Sequence, residues 1–514
     1  MTTLSVPVHQ RRSGLYRLTE HLNSGLEAHF WGCAAILVLV FFAVSVVQDL
    51  RLKMWNDEIV TLYVAQQGSP TDIVKATRDG MDNAPPLYPI LVSAILPFFK
   101  PDALAVRLPS TLGFVAMLMF VLGFCRRRVS GLYAFIAALL AFISCAFYAT
   151  EGRSYGLVLG CVAGALFCWQ GAVASQRRAL WLASLSFCVA FATALHFYSV
   201  CLLLPLAAGE LLRLLRQKKM EYSVFLAMLP AILVLVIHYP LIAASRKYLA
   251  HFWAPGVASW HQVPDFYLQF ALAPAAVMLV GLIAVAIRPD SGEEPAADRP
   301  ALPAYEWLAV GILALAPIVV IFVSRYTTHV FLLRYTAWAA IGLAILSASV
   351  LYVCCRAVPL VGVAVFAVLL AIVMIRQTRS LREEPKLRQG DAIFRQLQSV
   401  PDGAEPVVIA YDHAFMELSY YAAPALRERL VYPLDRTLEL RYSGADLDYL
   451  LLSGMRAHTR LKIVDLATLL NVNPHFILAA RPNDYLPEYL KQSGYRLTPI
   501  GSEVEAVVYE VGKP

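Results

Sequence analysis

Charge is scarce in this chain. Of its 514 residues 15% are Asp, Glu, Lys or Arg and 59% are hydrophobic, where a soluble globular chain carries nearer a quarter charged residues. That scarcity excludes a disordered chain and argues against an ordinary cytosolic enzyme. Cysteine is sparse where it would carry chemistry. All nine cysteines (Cys33, Cys125, Cys145, Cys161, Cys168, Cys188, Cys201, Cys354 and Cys355) lie in or at the ends of apolar runs, and residues 376–514 contain none. The Cys354-Cys355 pair is adjacent rather than C-x-x-C, so neither a disulfide framework nor a zinc motif is present. The chain has no H-E-x-x-H, Walker A or G-x-S-x-G motif, and its C-terminal part has no G-x-G-x-x-G, so no nucleotide site is assigned there. Asn-x-Ser/Thr acceptors and internal repeats are missing as well.

Hydrophobic runs of about 20 residues recur over the first 375 residues, the pattern of a polytopic membrane protein. Eleven spans are predicted, at roughly 30–48, 107–124, 131–150, 155–174, 180–197, 199–215, 223–244, 268–287, 305–323, 336–353 and 357–375. The first is too long for a signal segment and reads as an anchor helix. Pro86–Phe99 is apolar but short, with Pro86, Pro89 and Pro97, and reads as interfacial or re-entrant rather than spanning. The 25 Tyr, 25 Phe and 8 Trp suit a chain with many membrane–water interfaces.

The formal charge of +7 is unevenly spread. Residues 376–514 hold 17 Lys/Arg against 18 Asp/Glu, and residues 1–375 hold 26 against 18. The surplus therefore belongs to the loops between spans, where it sets topology, and does not indicate a nucleic-acid partner. With a cytoplasmic N-terminus (1–29, including Arg11, Arg12 and Arg17) and a non-crossing 86–99 run, Arg126 to Arg128, Arg177-Arg178, Arg216, Lys218-Lys219, Arg288 and Arg356 all fall inside. Arg51, Lys53, Arg246 and Lys247 are left outside. This parity puts loops 49–106, 245–267 and 324–335 outside, along with the C-terminus, and leaves 289–304 as a cytoplasmic linker rich in Pro, Ala and acid. Residues 376–514 read as a separate soluble α/β domain, with strands at Pro406–Ala410, His475–Ala479 and Ala506–Tyr509 and helices at Gly390–Leu397 and Pro487–Gly494.

The informative residues are polar ones at the outer ends of spans. The first outer loop carries Asp57-Glu58, then Asp72, Asp79, Asp82 and Asn83 ahead of Pro85-Pro86-Leu87-Tyr88. Paired acids there can supply a general base toward an acceptor hydroxyl or amine, although the same acids would also serve to solvate an outer loop. Glu151, Arg153, Tyr155, His196, Tyr198, His238, Tyr239, Arg325, Tyr326, His329, Arg334 and Tyr335 fall on that same side, and Arg107 opens the second span. Singly each is a plain interface residue. Together they suggest an outer cavity, because charge at membrane depth is costly unless it is paired or wet, and guanidinium groups suit a lipid phosphate.

In order along the chain, Asp57-Glu58, Asp82-Asn83-Ala84-Pro85-Pro86-Leu87-Tyr88, Arg107-Leu108-Pro109-Ser110 and Glu151-x-Arg153-x-Tyr155 resemble the C-type (GT-C) integral-membrane glycosyltransferases. The nearest groups are the protein O-mannosyltransferase superfamily and its bacterial branch of lipid A aminoarabinose transferases and lipopolysaccharide galacturonosyltransferases. The resemblance covers most of residues 30–200 and extends loosely to Arg334-Tyr335 and the tail. It implies a GT-C-like catalytic domain over 30–375 and an extracytoplasmic domain over 376–514, in a bacterial inner membrane. It also implies inverting transfer of a monosaccharide from a polyprenyl-phosphate donor to a lipid, glycan or protein acceptor. Asp57 would be the base, Glu58 would orient the acceptor and Asp82 would be a further acid. Arg107, Arg153, Tyr155, His196, Arg334 and Tyr335 would bind donor phosphate or substrate. Where many relatives have a basic residue before the Pro-Pro pair this chain has Ala84, which removes a phosphate contact from that position. No metal-ligand set is visible, and the resemblance leaves a divalent cation open. The alternative reading is a transporter or lipid flippase, against which stand the missing repeat and the one-sided charges.

Overall fold

A computed structural model describes residues 14–218, 221–253, 256–287, 302–355, 359–398, 400 and 403–513. Arg11, Arg12, Lys219, Arg288, Arg356 and the 289–301 part of the expected linker lie outside the described residues. An amphipathic helix α1 (Gly14–Ala28) leads into α2 (Phe30–Arg51). The 49–106 loop, expected to lie outside, folds into three short helices, α3 (Asn56–Ala65), α4 (Pro70–Asp79) and α5 (Leu87–Ile95). At nine residues, about 14 Å of helix, α5 is too short to cross a bilayer, as its length and prolines indicated. Then follow α6 (Asp102–Arg126), α7 (Gly131–Cys145), α8 (Tyr155–Ala174), α9 (Arg178–Leu195) and α10 (Leu203–Gln217).

Each of the next three expected spans is a bent pair rather than a rod: α11 (Ser223–Ile237) with α12 (Tyr239–Ser245), α13 (Gln262–Phe270) with α14 (Leu272–Ala286), and α15 (Ala304–Ala314) with α16 (Ala316–Tyr326). The bends are 50°, 71° and 52°. Pro240 and Pro317 stand in the first turn of the second helix of their pairs, where the ring removes a backbone donor and collides with the preceding turn. The bundle ends with α17 (Ala339–Cys355) and α18 (Pro359–Arg382). Among the described residues seven helices are long and apolar enough to cross a membrane, ten spans if each bent pair counts as one, while α17 at 17 residues is shorter. The chain is a multi-pass membrane protein.

Helices α6 and α8 pack at backbone distance. A Cβ on Gly156 would stand 2.3 Å from the Ser110 carbonyl oxygen, and one on Gly160 would stand 2.4 Å from that of Gly113. Small residues four apart allow this approach where lipid offers no hydrophobic drive for association. The bundle ends are fastened separately. At one end Arg128 pairs with Glu306 (2.5 Å), Arg126 with Glu27 (2.7 Å), Arg178 with Glu221 (2.6 Å) and Arg213 with Glu210 (2.6 Å). The acids and arginines of the 49–58, 107, 151–153 and 334 segments gather at the other end.

The C-terminal part is α/β. Its strands β1 (Val407–Ile409), β2 (Leu430–Leu434), β3 (Ile463–Asp465), β4 (His475–Ala480), β5 (Arg496–Glu503) and β6 (Ala506–Gly512) form one sheet in the order β3-β2-β1-β4-β6-β5. The first four are parallel, and β6 and β5 are antiparallel to their neighbours. Val407 and Ile409 point into the core shared with the bundle, and Val408 between them points into a second core on the other face. The unit is docked on the outer loop. Met54 N–H donates to the Tyr421 hydroxyl (2.6 Å), and His458 Nε2 lies 2.9 Å from Asp79. Gly454 meets the backbone of Gly80 so closely that a Cβ would stand 2.4 Å away.

Candidate active site

The acid pair sits at the start of α3, where a carboxylate is favoured by the helix dipole. Adjacent positions on a helix face different ways, and the two acids meet opposite fates. Glu58 is buried (1% exposed). It reaches back to the Trp55 N–H (3.2 Å), accepts from Gly152 N–H (2.6 Å) and forms a two-pronged pair with Arg107 (2.7 Å from both Nε and Nη2). Arg107 spends its remaining donors on the carbonyls of Asp49, Leu52 and Lys53 (3.0, 2.8 and 3.0 Å). All five N–H groups of its guanidinium are thus used inside the protein, leaving none for a phosphate. Gly152 must be glycine: a Cβ there would lie 2.4 Å from the Val106 side chain and 3.0 Å from Glu58 Oε1.

Asp82 is likewise engaged. It accepts from Arg153 at 2.7 and 3.3 Å and from Ala84 N–H at 3.0 Å, and it is 4% exposed. Arg153 also donates to Thr61 Oγ1 (3.0 Å) and to the Asp57 carbonyl (3.4 Å), which pins α3. The structure thus brings Glu58 with Arg107 and Asp82 with Arg153 into two closed pairs that brace the loop.

Asp57 is different. Its carboxylate is one-fifth exposed and, among the described residues, meets one ion-pair partner, Arg334 Nη1, at 3.3 Å. Burial pushes its pKa up, but Arg334, Arg153, His413 and Arg388 outweigh that and hold it below the usual carboxylate range. Arg334 rides on a turn of 3₁₀ helix, Leu333–Thr336, positioned where two outer loops pair through Ala258 N–H to His329 O (2.8 Å) and Phe331 N–H to Gly256 O (2.8 Å). Its guanidinium lies 5.9 Å from the Tyr155 ring centre. His196 lies amid Tyr155, Tyr198 and Tyr335, with ring centres 5.8, 6.0 and 4.8 Å away. Every expected site residue therefore gathers at one end of the bundle.

Two cavities of about 850 and 450 Å³ flank this cluster. Trp55, Phe147, Glu151 and Arg388 line both. Glu151 and Arg388 are the residues that sequence reasoning undervalued. Glu151 is 3% exposed and both its oxygens lack a hydrogen-bond partner. Burial, with the charges of Asp57 and Glu58, pushes its pKa up to about 8 against the pull of Arg334 and Arg153. Its place in the Glu151-x-Arg153-x-Tyr155 motif was the available signal. Arg388 follows α18 in a polar stretch with no motif, and it lies over Trp55 (4.4 Å) and Phe147 (5.2 Å). Trp55 Nε1, His196 Nδ1 and Arg334 Nε are also buried without partners. Such orphans are rare and costly; Glu151, Trp55 and Arg334 line these cavities, and His196 lies outside both linings. Among the described residues no cluster of three or more His, Cys, Asp or Glu is placed to hold a metal ion.

No protein-family model and no curated protein matches the chain. Among solved structures it resembles ArnT from Cupriavidus metallidurans in the apo state, with a TM-score of 0.59 and 14% identity over 94% of this chain and 98% of that one. The fold is that of ArnT. A structure of ArnT bound to undecaprenyl phosphate gives a TM-score of 0.57 at the same identity and coverage. The likeness in fold bears out the polytopic helical architecture that the apolar runs implied.

Proposed function

We propose that this protein is a glycosyltransferase that moves a monosaccharide from a polyprenyl-phosphate carrier to a lipid, glycan or protein acceptor, with inversion, at the outer face of a bacterial inner membrane. The observation that carries this reading is the contrast among the acids. Glu58 and Asp82 are closed in ion pairs, while Asp57 is held ionised, is one-fifth exposed and lies 3.3 Å from Arg334, which lines the smaller cavity. The shared fold with ArnT, for which a complex with undecaprenyl phosphate is known, supports the donor class. In this reading residues 30–375 are the catalytic membrane domain, 376–514 lie outside and the N-terminus is cytoplasmic.

The acceptor O–H or N–H attacks the anomeric carbon from the face opposite the phosphate. Its proton passes to the Asp57 carboxylate. The C1–O bond breaks and its electron pair leaves on the polyprenyl phosphate. Arg334 stabilises that charge with its unpartnered Nε–H and the rest of its fork, and Arg388 faces the same space. Glu151, protonated at neutral pH, donates to a phosphate or ring oxygen. Arg153 and Asp82, like Arg107 and Glu58, hold the loop in place. Tyr155, His196 and Tyr335 form the wall behind Arg334.

The test is transfer in detergent from a labelled undecaprenyl-phosphate-linked sugar to a lipid A or oligosaccharide acceptor, comparing wild type with Asp57→Asn. Transfer is expected to fall at least about 100-fold in the variant. Undiminished transfer would refute the base assignment. Movement of the labelled carrier across reconstituted bilayers without transfer would identify a flippase instead.

A further inference from the structure

A third cavity lies in the C-terminal domain. It measures about 170 Å³ and opens at the carboxyl ends of β1, β2 and β4. The chain runs outward from β1 through β2 to β3 and then returns to place β4 on the other side of β1. The gap between β1 and β4 is therefore the point at which strand order reverses, the usual place for a ligand in an open parallel sheet. The residues following β1 and β4 line the cavity, and the helix after β2 contributes Glu439.

Glu439 is the observation that asks for a ligand. It is 6% exposed and lines the cavity, with one oxygen accepting from Tyr449 N–H (3.0 Å) and the other buried without a partner. A buried oxygen left without a hydrogen bond is costly, and Glu439 carries it at the wall of the cavity.

The chemistry of the walls narrows the ligand. Carboxyl groups dominate, so a phosphate is disfavoured. Two of the acids are already neutralised inside the domain: Asp412 by His413 (2.8 Å) and Asp484 by Arg481 (2.8 Å). The pocket is therefore not a bare anionic trap for a cation. Burial, with the charges of Asp448, Asp412 and Asp446, pushes Glu439 up to about 8, which makes it a hydroxyl donor and an acceptor at neutral pH. The rings of Tyr442 and Tyr485 stack at one edge, with centres 5.3 Å apart and planes 9° from parallel. Flat rings beside carboxyl groups that both donate and accept match the apolar face and hydroxyl rim of a sugar.

We propose that the cavity lined by Glu439, Asp448, Tyr442 and Tyr485 binds one saccharide unit of a glycan. Asp412 on its wall opens the helix Asp412–Tyr421, which packs against α3, the helix of Asp57, so the cavity and the transfer site share one structural element. If transfer is the activity, the cavity is an acceptor subsite; the binding itself does not depend on that reading.

The experiment is binding of purified full-length protein in detergent to an array of bacterial and synthetic oligosaccharides, with spermidine as a competing polycation. Wild type is expected to bind a subset of glycans. The signal should fall at least about 10-fold in Glu439→Gln and in Tyr442→Ala, and persist in Asp57→Asn. Tyr442 is exposed on the surface, so its variant is expected to keep its fold, which a melting curve checks. Absence of glycan binding, glycan binding untouched by both pocket substitutions, or binding fully displaced by spermidine would overturn the proposal. Persistence in Asp57→Asn separates this outcome from failure of the transfer mechanism.

Discussion

Replacing each of two neighbouring acids in turn should produce opposite phenotypes. In Glu58→Gln the carboxylate that accepts from Arg107 twice, from Trp55 and from Gly152 becomes an amide with a single acceptor oxygen. Its NH₂ group then faces N–H donors. Arg107, 2% exposed, keeps its charge and loses its partner. Breaking a buried pair by removing one member costs about 3–5 kcal/mol, and one backbone donor, Trp55 N–H or Gly152 N–H, loses its acceptor as well. Asp57→Asn removes one 3.3 Å pair between partly exposed groups, worth no more than about 1 kcal/mol. The assay is thermal inactivation in detergent, followed by transfer activity per folded molecule. Glu58→Gln should melt about 5 °C or more below wild type and retain activity at low temperature in the fraction that folds. Asp57→Asn should melt with wild type and be inactive. A stable, inactive Glu58→Gln beside an unstable, active Asp57→Asn would refute the division of labour.

Three further outcomes are expected. Glu151 keeps its proton in the folded protein to about pH 8 but releases it near the ordinary carboxylate value when unfolded. Its burial is therefore harmless below about pH 4 and costs stability increasingly as pH rises toward 8, so Glu151→Gln should raise the melting temperature at pH 8.5 more than at pH 6. The same substitution should move or remove the alkaline limb of the pH–rate profile, whereas the acid limb, set by Asp57, should stay. Arg334→Gln should lower transfer by roughly 100-fold or more without unfolding the protein, while Arg153→Gln should act mainly through stability, because its guanidinium ties Asp82 to α3; melting curves beside initial rates distinguish the two.

The spans were legible because a bilayer demands about 20 apolar residues in a row, and little else in a sequence looks like that. The bends were not, since periodicity does not register a break of one or two residues. Pro240 and Pro317 were the available signs, and prolines elsewhere, such as Pro109 within α6 and Pro230 within α11, leave their helices continuous. In the C-terminal domain β1, β4 and β6 read as apolar runs. Strand β2 was hidden by Pro433, β3 by its two apolar residues ending at once in Asp465 and β5 by its polar edge position. The site residues were legible as a list but not as roles. Asp57 and Glu58 differ by one methylene and one position, and only the direction each faces makes one a reachable carboxylate and the other a strut. Glu151 stood in the motif, yet its lack of any partner is a property of three-dimensional space. Arg388 had no sequence signal at all.

The hydrogen bond from Met54 N–H to the Tyr421 hydroxyl joins residues 367 apart in the chain. At about 5–20 residues per second, the ribosome needs roughly 20–70 s to make the stretch between them. The segments that carry Asp57 and Arg153 are thus synthesised well before the segment that fastens Asp57's loop exists. The last stage of biosynthesis, arrival of the tail on the same side of the membrane as that loop, then decides when a finished site first appears.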